Sequence, residues 1–308
     1  MRHRLTNIVA AIIACIVVFQ ACTPVNNNNG NGAQTAPPNT DQAQMLDPNH
    51  SALLKFNDRL FNVPSPIQLA GVIQKVQLPY NKDLLNDVNK YQNYTTTFKQ
   101  ALNLGIYGAN LGYINVFEQL PDAAAYFGAI RALSKELGIM NTFNEETMQR
   151  IERNNGNKDS LLYIASIMYR ESDQYLMDAE RNEVGALILA GGWVESLYLL
   201  THIQSASEMK PEIQELIGQQ KAALNNLIDI LRPYYGLSSN EYDSFLENLS
   251  ELAAIFDDII VKYTFKSVST DEEKKLTIVD SQTETIIDTQ HIETISRKIE
   301  RLRNMITE

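Results

Sequence analysis

Two stretches of this chain are apolar on nearly every face of a helix, and they constrain the fold more than any other feature. The first runs from Tyr94 to Gln119 and the second from Val184 to Leu200. A helix that is apolar all round belongs in the centre of a protein rather than at its surface. Glu195 and Ser196 interrupt the second stretch, which disfavours a membrane span, because a span needs about 20 apolar residues. We therefore expect two central helices that pack against each other.

Both stretches contain glycines in the helix interior, where each glycine costs about 1 kcal/mol relative to alanine. A specific contact must offset that cost. The favoured explanation is a close crossing of the two helices, in which the small residues admit a neighbouring backbone or a bulky side chain. The alternative is room for a bound ligand. The candidate residues for such a crossing or pocket are Gly105, Tyr107, Gly108, Gly112, Gly191 and Trp193.

The 3.6-residue apolar period continues through most of the chain from Ser51 onwards. Local signals mark helix ends, among them Pro211 at a helix start, Ser239 as a cap, and Gly138 as a stop. Antiparallel helix pairs of roughly forty residues recur, which is a spacing found in helical repeats. The sequence predicts an all-α fold, either a multi-helix antiparallel bundle or a short helical-repeat array.

The spacing of apolar residues changes from a helical to an alternating pattern near the C-terminus. Residues 275–287 are rich in β-branched side chains that alternate with polar ones, which predicts one small β-hairpin that turns near Asp280. A final helix is predicted at about 289–306. It places an apolar stripe on one face, formed by Ile292, Ile295, Ile299, Leu302 and Ile306.

Composition excludes several classes of function. The chain has 308 residues and a net charge of −11. Without Arg2 and Arg4 near its start, 24 basic side chains would face 37 acidic ones, giving −13. That balance argues against nucleic acid as a partner and against an electrostatic grip on anionic lipid. The sequence contains only two cysteines, Cys15 and Cys22, so it offers no thiolate metal site.

The start of the chain has the form of an export signal. A basic beginning with Arg2 and Arg4 precedes an apolar run, Ile8 to Phe19, that is too short for a spanning helix. The segment Phe19-Gln20-Ala21-Cys22 then resembles the end of the type II signal peptide of bacterial lipoproteins, although Phe19 stands where leucine is usual and Gln20 is bulky. The resemblance implies cleavage after Ala21 and lipid attachment to Cys22.

Three segments follow from these observations. Residues 1–21 are predicted to be the lipoprotein signal peptide. Residues 22–50, rich in Asn, Gly and Pro, bury too little surface to fold and are predicted to be a disordered tether. Residues 51–308 form the predicted helical domain. The absence of an acidic cluster after Cys22 favours lipid anchoring at the outer membrane, facing the periplasm.

The sequence contains few groups that suggest catalysis. Glu195, Tyr198 and His202 lie on roughly one face of the second central helix, and Glu118 is a further carboxylate candidate. A carboxylate and an imidazole can act as a general acid–base pair, but the Glu-x-x-His spacing of helical metal sites is absent. The sequence indicates no cofactor and no metal.

The long helices also resemble uncharacterised all-helical bacterial lipoproteins, a resemblance that implies no activity. Our leading expectation is a membrane-tethered, non-enzymatic module for binding or assembly in the cell envelope, held to the membrane through Cys22. A hydrolase that uses carboxylate and His residues is one alternative. A carrier for an apolar small molecule, bound between the glycine-bearing helices, is the other.

Overall fold

The computed structural model describes residues 52–56, 59–63, 73, 75–139, 181–271 and 276–308. The α-helices in these ranges are α1 (Thr97–Val116), α2 (Leu120–Glu136), α3 (Asn182–His202), α4 (Pro211–Leu231), α5 (Asn240–Asp257) and α6 (Thr289–Thr307). The strands are β1 (Ala52–Phe56), β2 (Arg59–Val63), β3 (Ile260–Asp271) and β4 (Leu276–Ile286). The strands pair as two separate antiparallel hairpins, β1–β2 and β3–β4.

The predicted all-α fold with a hairpin near the C-terminus is confirmed. Helix α3 packs against α1, α4 and α6, so helices that are far apart in sequence meet at the centre. In a repeat array each unit contacts only its sequence neighbours. The described helices therefore form a bundle.

The helix ends follow from local side-chain chemistry. Thr96 and Ser239 precede α1 and α5, and their hydroxyls accept hydrogen bonds from the backbone N–H groups of Lys99 and Tyr242. Pro211 begins α4, where a missing N–H has no cost. Gly138 follows α2 with φ +73°, a conformation that glycine adopts without strain.

Helix α3 is long and apolar enough to cross a membrane by length and composition, and it is the single such helix among the described residues. However, 78% of its most apolar window is buried inside the protein. Its partners are the apolar faces of α1, α4 and α6. This is the environment of a core helix in a folded domain.

The C-terminal hairpin differs from its predicted position of 275–287. Helix α5 ends at Asp257, and β3 begins at Ile260, so the hairpin starts about fifteen residues earlier than expected and is far longer. Ile259, Ile260 and Val261 continue the apolar pattern of α5, which hides the boundary in the sequence. Pairing with β4 determines where β3 begins, and the paired residues of β4 are distant in the sequence.

The remaining expectations concern the N-terminal part of the chain and the final helix. The first hairpin, β1–β2, was not predicted from the sequence. The final helix, predicted at 289–306, spans Thr289–Thr307. The signal peptide at 1–21, the lipid attachment site Cys22 and the tether at 22–50 lie outside the described residues.

Candidate functional site

The crossing of α1 and α3 is the closest helix contact that the glycines reveal. A Cβ atom on Gly105 would lie 2.0 Å from the carbonyl oxygen of Ile188, and one on Gly191 would lie 1.9 Å from that of Leu102. Both distances are far below van der Waals contact, so backbone touches backbone here. The crossing accounts for the cost of both glycines and leaves no room for a ligand between them.

The other candidates at this crossing have different environments. Gly108 is exposed and has no neighbour within 4 Å of where a Cβ would stand, whereas Gly112 is buried within α1. The Trp193 indole N–H donates a hydrogen bond of 3.1 Å to Oε1 of Gln220 on α4. The Tyr107 hydroxyl donates to the backbone oxygen of Asp87 at 2.9 Å, and burial raises the pKa of Tyr107 above its ordinary value. Gly112, Trp193 and Tyr107 are parts of the core, whereas Gly108 lies on the exposed side of α1.

Glu195 is completely buried, and its carboxylate is saturated by partners. Arg303 on α6 donates from Nε to Oε2 at 2.5 Å and from a terminal nitrogen to Oε1 at 3.0 Å, forming a bidentate pair. Asn110 on α1 donates to Oε1 at 2.5 Å. Burial, the largest single cause, lowers the pKa of Arg303, but the charge and hydrogen bonds of Glu195, together with the nearby Tyr198 and Tyr94, raise that pKa overall. Arg303 thus stays charged, and its pair with Glu195, together with Asn110, joins three helices.

A layer of buried amides extends this pair towards the end of α6. The Asn86 side chain donates to the Tyr94 hydroxyl at 3.0 Å and to Oδ1 of Asn103 at 3.3 Å. Asn103 donates to the backbone oxygen of Ile306 at 3.0 Å. The Asn86 backbone N–H donates to Oδ1 of Asn110 at 3.1 Å, which closes the link to Glu195. We call Asn86, Tyr94, Asn103, Asn110, Glu195 and Arg303 the buried polar cluster.

Tyr198 and His202 connect this cluster to the surface. The Arg303 guanidinium lies 4.1 Å from the centre of the Tyr198 ring, and the Tyr198 ring stacks on His202 with centres 4.0 Å apart. His202 Nδ1 lies 2.9 Å from the Tyr198 backbone oxygen. Nδ1 also lies 3.0 Å from the Thr201 hydroxyl, and Nε2 faces the Ser296 hydroxyl at 3.4 Å. Burial lowers the pKa of His202 below its ordinary 6.5.

His202 lines an open cleft of about 400 Å³ at the ends of α3 and α6. The cleft walls carry mainly hydroxyl and amide groups, together with one carboxylate and one guanidinium. Those two charged residues, Glu293 and Arg297, pair with each other at 3.9 Å and are largely exposed. Glu195 does not line the cleft.

The three catalytic candidates from the sequence do not form one accessible site. Glu195 has no exposed surface and no free oxygen. Glu118 is exposed in the turn after α1, where its φ is +56°. His202 is half-buried beside Tyr198. Since a general base must reach substrate, Glu195 is a structural residue in this arrangement.

Four members of the buried polar cluster were not predicted from the sequence: Asn86, Asn103, Asn110 and Arg303. A signal was present for the two α1 asparagines, which are seven residues apart on one face of an otherwise apolar helix. Arg303 lies between Ile299 and Ile306 at helical spacing, next to the apolar stripe of α6. Polar residues on faces that pack inward predict buried hydrogen bonds, but the sequence does not name their partners.

Among the residues that the structure describes, no group of three or more His, Cys, Asp or Glu side chains could hold a metal ion. Comparison with protein-family models, curated proteins and solved structures finds no match for the chain. Function must therefore be argued from the sequence signal and from the chemistry of the described residues.

Proposed function

We propose that this chain is a lipid-anchored helical lipoprotein of the bacterial cell envelope, acting as a binding or assembly module rather than as an enzyme. The observation that carries the proposal is the start of the sequence: Arg2 and Arg4, the apolar run Ile8 to Phe19, and Ala21 directly before Cys22. Cys22 is the acyl acceptor. The proposed location is the outer membrane, on its periplasmic side.

The centre of the described domain is occupied by packing contacts, which supports a binding module over an enzyme or a carrier. The buried charged pair, Glu195 with Arg303, makes its hydrogen bonds within the domain, between α1, α3 and α6 and to the Leu84 carbonyl. At the glycine crossing the two backbones touch, which disfavours the carrier alternative there. Because this buried pair and this crossing serve packing, a partner would bind at the surface of the domain.

The tether supports the same proposal. Residues 22–50 separate the acylated cysteine from the first described strand, and a coil of that length has a root-mean-square span of roughly 30 Å. Two or three acyl chains on one cysteine are sufficient for stable attachment, whereas one chain alone is marginal. The domain would thus stay at the membrane and sample the space next to it.

Replacing the acyl acceptor tests the proposal. In cells grown with labelled palmitate, we expect Cys22→Ser to abolish incorporation and to release the protein from the membrane fraction. Cys15→Ser is the matched control, because Cys15 lies within the apolar run and should leave labelling unchanged. Equal labelling of the Cys22→Ser variant and the natural sequence would refute lipid anchoring at this residue.

A further inference from the structure

The β3–β4 hairpin, which we call the ribbon, exposes more large apolar side chains than any other part of the described chain. They are Ile260, Val261, Phe265, Val268 and Ile286, with Phe265 and Val268 each 57% exposed. A two-stranded hairpin alone is marginal in water and needs support from a helix or another surface. Exposed apolar side chains that share one surface mark an interaction site, so the face on which each of these residues lies matters.

The register of the ribbon places its most exposed apolar residues on one face. Phe265 pairs with Ser281 and Val268 pairs with Val279. Because Ser281 and Val279 are two apart on β4, their partners share a face. A bulge between Phe265 and Ser267 makes this possible, since three residues of regular strand would otherwise turn Val268 to the opposite side.

The same face is packed at the base of the ribbon and uncovered farther out. Thr285, which shares this face, contacts Gly218 of α4 so closely that a Cβ on Gly218 would lie 2.0 Å from its methyl carbon. Beyond this contact Phe265 and Val268 are uncovered by the part of the chain that the structure describes. Helix α4 thus holds the ribbon at one end and leaves its apolar face free at the other.

The proposed anchor indicates the occupant of this face. Strand β2, in the first described hairpin, lies against α4, as the ribbon does. The predicted tether runs from Cys22 to this first hairpin. A tether with a span of roughly 30 Å would hold the domain close to the bilayer. The bilayer is therefore an apolar surface that Phe265 and Val268 could reach.

The charges of the ribbon fit contact with a neutral bilayer surface. Lys262 and Lys266 are exposed on β3, and long basic side chains can bury their stems while their ammonium groups stay in water. Over residues 260–286 the sequence holds four lysines and five acidic residues, a net charge of −1, so electrostatic attraction to anionic lipid is not the driving force. The contact would be apolar.

We propose that the face of the ribbon that carries Phe265 and Val268 inserts into the interfacial region of the bilayer and orients the domain on the membrane. This inference rests on the proposed lipid anchor and adds a second contact to it. It commits to lipid as the partner of this face. The depth expected for an interfacial element is about 5–10 Å below the headgroup boundary.

The experiment uses the acylated protein reconstituted into phosphatidylcholine vesicles that contain doxyl-labelled lipid. Acylation consumes the thiol of Cys22 and cleavage removes Cys15, so a fluorescent NBD label attaches only at an introduced cysteine. The test variant is Val268→Cys. The matched control is Leu237→Cys, because Leu237 is an apolar residue that is 80% exposed outside the ribbon.

We expect the label at position 268 to emit at shorter wavelength and to be quenched by doxyl lipid, with the label at position 237 unaffected. Adding Phe265→Ser to the test variant should reduce the quenching without changing palmitate incorporation. Equal quenching at both positions, or none at either, would overturn the inference while leaving the anchor intact. A wavelength shift that persists in detergent without lipid quenching would assign the face to a second copy of the chain and also overturn it.

Failure of the anchor has a separate signature. Cys22 would then react with the NBD reagent in the natural sequence and would incorporate no palmitate. That result would refute the proposed function and the ribbon inference together. A positive palmitate result with an unquenched label at position 268 would refute the ribbon inference alone.

Discussion

The buried polar cluster and the ribbon differ in which side chains they bury and which they expose. The cluster buries a charged pair at the centre of the bundle, where Glu195 has no exposed surface. The ribbon leaves Phe265 and Val268 more than half exposed. The difference teaches that partners, rather than residue type alone, decide burial. Arg303 can be buried because Glu195 is fixed opposite it, whereas Phe265 has no described neighbour to cover it.

The largest expected effect comes from removing one member of the buried pair. Arg303→Met leaves Glu195 charged and unpaired in the core, which should lower the free energy of unfolding by about 3–5 kcal/mol. Urea denaturation followed by circular dichroism measures this. The double variant Arg303→Met with Glu195→Gln should recover much of the loss, because the introduced amide is neutral and its oxygen would still accept from Asn110. Equal instability of the single and double variants would contradict the pairing.

The glycine crossing should be nearly as sensitive. Gly105→Ala places a methyl group against the Ile188 carbonyl oxygen, so the two backbones must separate. We expect a loss of about 3 kcal/mol in the free energy of unfolding, at the upper end for overpacked cores.

Gly108→Ala is the control on the same helix, one turn away. It meets no neighbour and should stabilise the protein by up to about 1 kcal/mol through helix propensity. Thermal unfolding of the two variants side by side measures the contrast. A similar change in both would show that helix propensity, rather than backbone contact, governs these positions.

His202 lies between the two extremes, half-buried and stacked on Tyr198. Burial lowers the pKa of His202, so the folded state favours the neutral ring. Its contribution to stability is present above the ordinary pKa of 6.5 and is lost as the pH falls through the lower folded value. An NMR titration should show the His202 ring protonating below pH 6.5. A midpoint at or above 6.5 would contradict the burial.

The smallest effect on stability is expected in the ribbon. Phe265→Ser should change the free energy of unfolding in detergent by less than about 0.5 kcal/mol, as at most surface positions without special contacts. Chemical denaturation measures this change. A loss as large as that of Gly105→Ala would place Phe265 in the core of the fold, and would remove the contrast between ribbon and cluster.

Features that depend on neighbouring residues could be predicted from the sequence. Pro211, Ser239 and Gly138 mark helix ends correctly because capping is local. The glycines of α1 and α3 indicated a close crossing, and Gly105 and Gly191 lie at it.

Features that depend on distant pairing could not be predicted. The partner of Glu195 lies 108 residues away in Arg303, and no local pattern connects them. The start of β3 is hidden for the same reason, because Ile260 and Val261 extend the apolar pattern of α5 until β4 pairs with them. Trp193 could be assigned to the core, but its bond to Gln220 could not be foreseen.

The separation of these partners has a consequence for how the chain matures. Asn103 meets Ile306 across 203 residues, and Leu84 meets Arg303 across 219. Until the ribosome has synthesised the segment that bears Arg303, α1 and α3 carry amide and carboxylate groups that only water can satisfy. The nascent chain should therefore remain open, which would suit export across a membrane before folding, as the proposed lipid anchor requires.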